Sequence, residues 1–389
     1  MMFTSPFVQG NPWLRLPLRR RATDIGARLG GGLRRSIGPV TITCLLLGLA
    51  GCLAIFNATF HRVAPLAFVA RQAVWLVAAA VVMLAAAGRG PKFWRRSLPL
   101  WATGAYAALL LVLLCGERVN GMRGWFAWHG VFIQPSELAK PIFLLCLASR
   151  LEYRSEDLRN GKGYLSLLGL FGLWAVPLLL QPDFGTLLVY GATFAVTVWC
   201  MGGRTWHLLA TGLAAVPMVA AACLYRPYLW QRFAGFLDPE GAGQGAGWHI
   251  LQFQRTLASG GAFGCSLGRG VWSNTYLPLG HSDSIFATLA EALGFFGVLP
   301  LVLLVLAWAW YGMRRAQASS RDRFVSGAVL GMSVMLTVQS LIHLSVNLGL
   351  MPPTGVTLPL ISYGGSSLVS SLAMIGMVEG MTRTPDREE

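Results

Sequence analysis

Long runs of apolar residues recur along the whole chain and are separated by shorter polar or charged segments. A helix needs about 20 mostly apolar residues to cross the hydrocarbon core of a bilayer, and the runs approach or exceed that length. The pattern therefore predicts an all-α fold, a polytopic membrane protein whose eighth helix is kinked at Pro300. The ten transmembrane helices are expected at about 37–58, 66–87, 98–115, 136–149, 164–180, 186–202, 206–224, 284–312, 324–345 and 360–381.

The polar segments divide the chain into one membrane domain, 37–381, and two tails. Residues 1–36 are basic and rich in Gly and Pro, which predicts a disordered tail, and residues 382–389 form a short second tail. The longest polar stretch, 225–283, separates helices 7 and 8 as a large loop. A connection of this length is more often functional than filler.

The composition agrees with a membrane protein and accounts for the strong positive charge. The chain is 54% hydrophobic and 12% charged, whereas soluble domains have about 25% charged residues. Of its 31 lysines and arginines, 22 fall in the tails and in alternate connections, as the positive-inside rule requires of cytoplasmic segments. Both termini are therefore expected in the cytoplasm and residues 225–283 outside. Topology and anionic lipids explain the net charge of +15 without nucleic acid.

The cysteines carry no motif. There are seven, none in a Cys-x-x-Cys pair, and most lie inside hydrophobic runs, where Cys behaves as a small apolar residue. An odd number scattered in this way predicts neither a disulfide framework nor a zinc site.

One acid stands at the junction between the 225–283 loop and the eighth helix. Asp283 follows His281 and Ser282 and precedes an apolar run, and Glu291 lies eight residues further on. An acid at the mouth of a membrane helix is unfavourable unless it has a function. The alternative is that Ser282 or Asp283 caps the helix, because both residue types suit that position. The two interpretations stay open at this point.

Other polar residues lie where the predicted helices meet the outer face. Ser136 followed by an acid predicts a helix start. Glu137 and Lys140 share a helix face at i and i+3, as a structural ion pair or as part of a substrate cavity. Asp183 caps the sixth helix or belongs to a site. Arg71, inside the second helix, is expected to face an acid or a water-filled space, or to reach the interface.

The Pro- and Gly-rich segment 347–359 predicts a broken backbone at membrane level. Such a backbone is tolerated only where it is buried in protein or lines a cavity. The small residues after it, among them Ser362 and Ser366, would allow close helix packing. Together, the acids on the outer face and this segment indicate one site at the outer ends of the helices.

Several stretches, taken together and in this order, resemble the SEDS family, which contains the FtsW, RodA and SpoVE proteins. Each stretch is short, but their joint order from about residue 37 to 380 is specific. They include Gln-Pro-Ser-Glu-Leu-Ala-Lys at 134–140 and Leu-Pro-Leu-Ile-Ser-Tyr-Gly-Gly-Ser-Ser at 358–367. The others are 120–121, 181–186, 259–261, 268–270, 276–278, 281–283 and 354–355.

The resemblance implies a ten-helix peptidoglycan glycosyltransferase of the bacterial cytoplasmic (inner) membrane. Such enzymes polymerise lipid II at the outer face, in cell division or cell elongation, and work with a class B penicillin-binding protein. The amino-acid sequence at 273–278 and 357–362 is slightly closer to the division branch (FtsW) than to the elongation branch (RodA). The alternatives are a lipid II flippase and a non-catalytic scaffold that recruits the penicillin-binding protein.

The family's catalytic acid maps onto Asp283, which implies an inverting transfer with Asp283 as the general base. Three positions depart from the family pattern: Leu279 and Ala292 stand for glutamates, and Ser284 for a phenylalanine. Leu279 removes a carboxylate near the proposed centre. The expected cofactors are therefore none, with Mg²⁺ or Mn²⁺ as the alternative.

Glycosyl transfer from a pyrophosphate donor needs one base, because the leaving group is already good. Glu291 is about 12 Å along a helix from Asp283, further than the paired carboxylates of glycosidases. Cations would meet the pyrophosphate charge, and the sequence does not choose among them. The candidate substrate-binding residues are Glu137, Lys140, Asp183, Arg226, Arg232, Arg255, Arg269, His281, Ser282, Thr354, Ser362 and Ser366.

Overall fold

The computed structural model of this chain describes residues 39–62, 64–119, 121–153, 158, 161–241 and 245–383. The predicted tail 1–36 and nearly all of the tail 382–389 lie outside the described residues. The described helices are α1 Pro39–Thr59, α2 Pro65–Ala87, α3 Pro91–Cys115, α4 Pro135–Leu138, α5 Lys140–Tyr153, α6 Gly161–Leu180, α7 Phe184–Cys200, α8 Thr205–Tyr225, α9 Pro227–Leu237, α10 Ala246–Gly260, α11 Val271–Thr275, α12 Ile285–Ala318, α13 Arg323–Asn347 and α14 Gly365–Thr382. The strands are β1 Glu117–Val119, β2 Met122–Trp128 and β3 Val131–Ile133.

The predicted all-α, polytopic architecture is confirmed. Helices occupy all ten predicted spans, and seven of those described are long and apolar enough to cross a membrane: α1, α2, α3, α6, α8, α12 and α13. The remaining spans are filled by α4 with α5, by α7 and by α14, which are shorter or more polar. Nearly every residue of α14 is buried, and a helix that contacts protein instead of lipid needs no apolar surface all round.

Helix α13 lies at the centre of the bundle and organises the helices around it. It packs against α5, α7, α12 and α14, and α14 in turn packs against α2. Phe143, Tyr190 and Phe324 are among the large side chains that this core buries completely. Helix α8, by contrast, has no buried residue. The centre of the bundle is therefore the rigid part on which a site can be built.

The large connection predicted at 225–283 carries helices of its own, α9, α10 and α11. Ile250, Phe253 and Leu257 repeat at helical spacing on α10, and the first two are buried. Helix α10 packs against α9 and α12. The glycine-rich composition around this segment concealed the helical period. The segment preceding α4 differs as well: β1, β2 and β3 form an antiparallel sheet in that order, where only a polar loop was predicted.

Helix α12 has a backbone break at Gly294, before the predicted kink position Pro300, which lies inside the helix. Within α12, every residue of which is described, the one non-helical backbone conformation is at Gly294, with φ of 72°. A Cβ at Gly294 would come within 2.3 Å of the Gly264 nitrogen, so only glycine fits. The amide freed by the break, that of Phe295, donates to the Gly261 carbonyl at 3.0 Å. The contact with Gly261 and Gly264, which are distant in sequence, therefore sets the break at Gly294, and Pro300 lies within the helix that follows.

Candidate functional site

A cavity of about 1210 Å³ opens where α2, the sheet, α4, α5, α7 and α9 meet the 354–367 segment. Its lining brings together residues from widely separated parts of the chain, as the sequence predicted. Nine residues of the candidate set line it: Glu137, Lys140, Asp183, Arg226, Arg232, Ser282, Asp283, Thr354 and Ser366. Other polar or charged side chains of the lining include Arg71, Gln134, Thr357, Tyr363 and Ser367.

Asp283 lies in the turn between α11 and α12 and lines this cavity. The capping interpretation is wrong: α12 begins at Ile285, and Ser284 occupies the N-cap position without a side-chain hydrogen bond. Neither Ser282 nor Asp283 therefore caps the helix. Burial raises the pKa of Asp283, while hydrogen bonding with Ser282 and the charge of Arg232 lower it. The carboxylate faces the cavity, and its pKa is raised from the ordinary value.

Arg232 is the cation whose charge acts on the carboxylate of Asp283. Its guanidinium donates to the Pro353 carbonyl at 2.7 Å and lies 4.3 Å from the ring centre of Tyr228. Burial lowers the pKa of Arg232, whereas the charge of Asp283 raises it. The arginine thus joins α9 to the 353–355 segment. Gly355 continues that segment, and a Cβ built on it would lie 3.6 Å from Asp283 Oδ2.

The predicted Glu137–Lys140 pair is confirmed. Lys140 Nζ lies 2.6 Å from Glu137 Oε1 and donates a second hydrogen bond to Gln339 Oε1 at 2.8 Å. Lys140 is 1% exposed and Glu137 8%. The structural ion pair is therefore present, and both residues also line the cavity; their contact with a substrate stays a prediction. The charge of Lys140 is nevertheless already balanced by Glu137.

Asp183 caps α7, which was one of its two predicted roles. Its Oδ1 accepts the Thr186 N–H at 3.1 Å, and its Oδ2 accepts hydrogen bonds from Ser136 Oγ at 3.0 Å and Gln134 Nε2 at 3.1 Å. The prediction for Ser136 is wrong in detail. Helix α4 begins at Pro135 with Gln134 at the N-cap, and the Ser136 hydroxyl binds Asp183 instead. The Asp183 carboxylate joins α4 to α7.

The candidate cations divide into two groups. Arg226 and Arg232 line the cavity, whereas Arg255 and Arg269 do not. The Arg255 guanidinium lies 5.6 Å from the ring centre of Trp272, on the α10–α11 side. Arg71, which is absent from the candidate set, also lines the cavity. A water-filled space was one of the surroundings predicted for it. A lone arginine in an apolar run is the sequence signal that could have placed it in the set.

His281 packs instead of lining the cavity. Its ring lies 5.2 Å from that of Phe68 and 5.5 Å from that of Tyr363, measured between ring centres. Burial, with a smaller effect of the Arg62 charge, lowers the pKa of His281 to about 4. The imidazole is therefore neutral near pH 7 and has no proton to give as an acid.

The serines and the threonine of the candidate set have different surroundings. Ser282 and Thr354 line the cavity, and the buried Thr354 hydroxyl has no hydrogen-bond partner among the described residues. Ser366 also lines it and accepts the Gln134 N–H at 2.9 Å. Ser362 does not, and its hydroxyl donates to the Ser282 carbonyl at 2.8 Å. Among these hydroxyls, that of Thr354 is therefore the one without a partner among the described residues, and Ser362 supports the turn.

Glu291 belongs to the framework and not to the cavity. Its carboxylate accepts the N–H groups of Trp272 at 3.0 Å and Ser273 at 2.8 Å, and the Ser259 hydroxyl at 2.9 Å. These amides begin α11, so the acid satisfies donors that a helix N-terminus leaves free. Although Glu291 is close to Asp283 in sequence, it therefore does not supply a second catalytic carboxylate.

The donor groups around Asp283 do not form a metal site by themselves. Across the part of the chain that the structure describes, no three His, Cys, Asp or Glu side chains lie together as metal ligands would. Leu279, where the family pattern has a glutamate, lines the cavity with an apolar side chain. A dependence on Mg²⁺ or Mn²⁺ stays a prediction.

A family model described as "Cell cycle protein", named for FtsW, RodA and SpoVE, matches residues 39–386. The chain is 34% identical over 362 residues to a probable peptidoglycan glycosyltransferase FtsW of Alkalilimnicola ehrlichii, covering 92% of this chain and 90% of that one. It is also similar to a chain from a peptidoglycan synthase complex that coordinates polymerization and crosslinking, with a TM-score of 0.73, 30% identity and coverage of 87% and 96%. The rod shape determining protein RodA of Thermus thermophilus gives a TM-score of 0.65, 28% identity and coverage of 87% and 93%.

Proposed function

Because the chain belongs to the FtsW, RodA and SpoVE family of cell cycle proteins, we propose that it is a peptidoglycan glycosyltransferase of the bacterial cytoplasmic membrane. It polymerises lipid II into glycan strands at the outer face, with both termini in the cytoplasm. The names of its relatives support the reaction. The observation that carries the assignment of the base is the Asp283 carboxylate, which lines the cavity while Glu137 and Asp183 are bound to protein groups.

The transfer is a single displacement at the anomeric carbon of the donor sugar. A hydroxyl of the acceptor sugar attacks that carbon, and the bond from the carbon to the pyrophosphate oxygen breaks. The hydroxyl proton passes to Asp283, and the lipid pyrophosphate leaves with the electron pair. Attack opposite the leaving group inverts the configuration. Burial raises the pKa of Asp283, which makes it a stronger base than an exposed aspartate.

The cations of the cavity would stabilise the charge that develops on the leaving pyrophosphate. Arg71, Arg226 and Arg232 all line the cavity, and a guanidinium can bind phosphate oxygens in a bidentate manner. Lys140 contributes less, because Glu137 balances its charge at 2.6 Å. The structure therefore favours arginines from α2 and from the α8–α9 region over Arg255 and Arg269.

The size of the cavity suits two lipid-linked sugars. Pockets for single small ligands measure about 300–1,000 Å³, and this cavity exceeds that range at about 1210 Å³. The similarity to a chain of a peptidoglycan synthase complex supports a partner that crosslinks the strands, which we take to be a class B penicillin-binding protein.

The decisive experiment compares Asp283→Asn with the wild type in a polymerisation assay on labelled lipid II, with the partner present. Asn keeps the size but cannot accept the proton, so the rate should fall by about 10²–10⁴-fold. Asp238→Asn is the matched control. Asp238 lies in the same outer region and binds the exposed Gly241 N–H at 2.9 Å, outside the cavity, so this variant should polymerise normally.

The readout separates the rival functions. Polymer made by Asp283→Asn at the wild-type rate would remove Asp283 as the base but would leave the polymerase assignment in place. A flippase or a scaffold would instead leave the wild-type protein without polymerising activity in the same assay.

A further inference from the structure

The main chain of the turn that carries Asp283 is held at three consecutive carbonyl oxygens. The Tyr363 N–H donates to the carbonyl of His281 at 2.9 Å, and the Ser362 hydroxyl donates to that of Ser282 at 2.8 Å. Asn347 Nδ2 donates to the carbonyl of Asp283 itself at 3.0 Å. Groups from outside the turn therefore fix its backbone.

Asn347 performs a second task, which normally falls to a helix's own N-cap residue. Its Oδ1 accepts the N–H of Ala287 at 3.2 Å, and Ala287 is the third residue of α12. An N-cap side chain ordinarily accepts the N–H of the second or third helical residue. Ser284, at the N-cap, makes no such bond. The cap of α12 thus comes from the last residue of another helix, α13.

We propose that Asn347 is a positioning residue for Asp283, which caps α12 from outside and thereby frees the Asp283 carboxylate for chemistry. The inference rests on the proposed function of Asp283 as the base. An aspartate that capped its own helix would direct its carboxylate at backbone amides, away from the cavity. With Asn347 in place, the backbone is fixed by one amide side chain and the carboxylate is available.

The surroundings of Asn347 make this amide hard to replace. The residue is 0% exposed, and Nδ2 also donates to the His343 carbonyl at 2.9 Å. One side chain therefore supplies an acceptor to α12 and donors to Asp283 and to α13. Because misplacement of a catalytic group by about 1 Å can lower a rate about 10²-fold, loss of this contact should affect turnover more than binding.

Asn57 offers a matched control for the structural part of the effect. It is also a buried asparagine, 2% exposed, and its Oδ1 accepts the Gly268 N–H at 2.6 Å. Like Asn347, it joins a helix to an outer segment of backbone. Unlike Asn347, it has no hydrogen bond to the Asp283 turn; neither asparagine lines the cavity.

The test measures initial rates of polymerisation of fluorescent lipid II by the full-length chain with its partner, over a range of lipid II concentrations. Rates are normalised to the monodisperse folded protein. For Asn347→Ala, kcat should fall about 10²-fold with KM within about twofold, whereas for Asn57→Ala both should stay near the wild type even if the yield drops. Equal kcat in the two variants would overturn the inference.

A second variant keeps the test decisive if Asn347→Ala gives no folded protein. Asn347→Asp keeps the size and the acceptor for the Ala287 N–H, and once ionised at mildly alkaline pH it loses the donor to the Asp283 carbonyl. Its kcat should also fall about 10²-fold at that pH, and a wild-type kcat there would contradict the proposal. Asp283→Asn is measured alongside: an active Asp283→Asn would overturn the proposed function of Asp283 as the base, whereas an inactive one with fully active Asn347 variants would overturn this inference alone.

Discussion

Two walls of the cavity carry charged residues, and the walls differ in how their acids are held. On the paired wall, made of Glu137, Lys140 and Asp183, every charge is bound to a protein group at 2.6–3.1 Å. On the open wall, made of Arg226, Arg232 and Asp283, the acid has no role in capping and the arginines face the cavity.

The difference teaches that an acid at the mouth of a membrane helix has two uses. Where its oxygens are satisfied by neighbouring helices, as at Asp183, it holds the cavity together. Where another residue takes over capping, as Asn347 does for α12, the acid is available to a substrate. The sequence context of the two aspartates is alike, since both precede the first apolar turn of a helix, so only the long-range contacts separate them.

The largest expected effect lies on the paired wall and concerns stability. Lys140→Ala would leave Glu137 buried without its partner, and breaking such a pair costs about 3–5 kcal/mol. We expect a marked fall in the unfolding temperature in detergent, with loss of folded yield. Activity per folded molecule should fall less than in Asp283→Asn.

A partly exposed ion pair, whose Arg95 also contacts Asp322 at 2.6 Å, provides the control for Lys140→Ala. Glu152 accepts from Arg95 at 2.7 Å, and the two side chains are 41% and 35% exposed. Exposed pairs contribute about 0–1 kcal/mol, so Glu152→Ala should lower the unfolding temperature only slightly. Equal destabilisation by the two variants would mean that the Glu137–Lys140 pair is solvated.

The helices of the ten predicted spans were predictable because each depends on local composition. The long apolar runs predicted helices at all ten spans, and the spacing of Glu137 and Lys140 predicted their contact. The helices of 225–283 were missed because glycines surround the periodic residues Ile250 and Phe253. Local signals therefore described the bundle well and its irregular parts poorly.

The remaining errors depend on contacts between distant segments. The break in α12 falls at Gly294 and not at Pro300, since residues 261–264 contact the helix there. The sequence left open whether Ser282 or Asp283 caps α12, and the structure instead gives the cap to Asn347, 60 residues after its partner Ala287. A single sequence shows which residues suit a cap, but not which helix end a distant side chain reaches.

A smaller effect is expected for the arginines of the open wall and concerns the substrate. Arg226 lines the cavity, and a charge-assisted hydrogen bond contributes about 1.5–3 kcal/mol. Arg226→Gln should therefore lower kcat/KM for lipid II by about 10–100-fold. Arg255→Gln is the control, since Arg255 packs on Trp272 outside the cavity and should change kcat/KM by less than about twofold. The opposite ranking would move the pyrophosphate site to the α10–α11 side.

The smallest expected effect is a shift in the pH dependence of turnover. As the base, Asp283 must be ionised, so kcat should fall as the pH is lowered through its pKa, which burial raises. The charge of Arg232 lowers that pKa, because a positive neighbour favours the carboxylate. Arg232→Gln removes the charge, so the pKa of Asp283 should rise and the acid limb of the kcat profile should move to higher pH. Arg255→Gln should leave the limb in place. A limb that moves to lower pH in Arg232→Gln, or does not move, would show that the ionisation of Asp283 does not control turnover, and the open wall would lose the electrostatic link between its arginine and its acid.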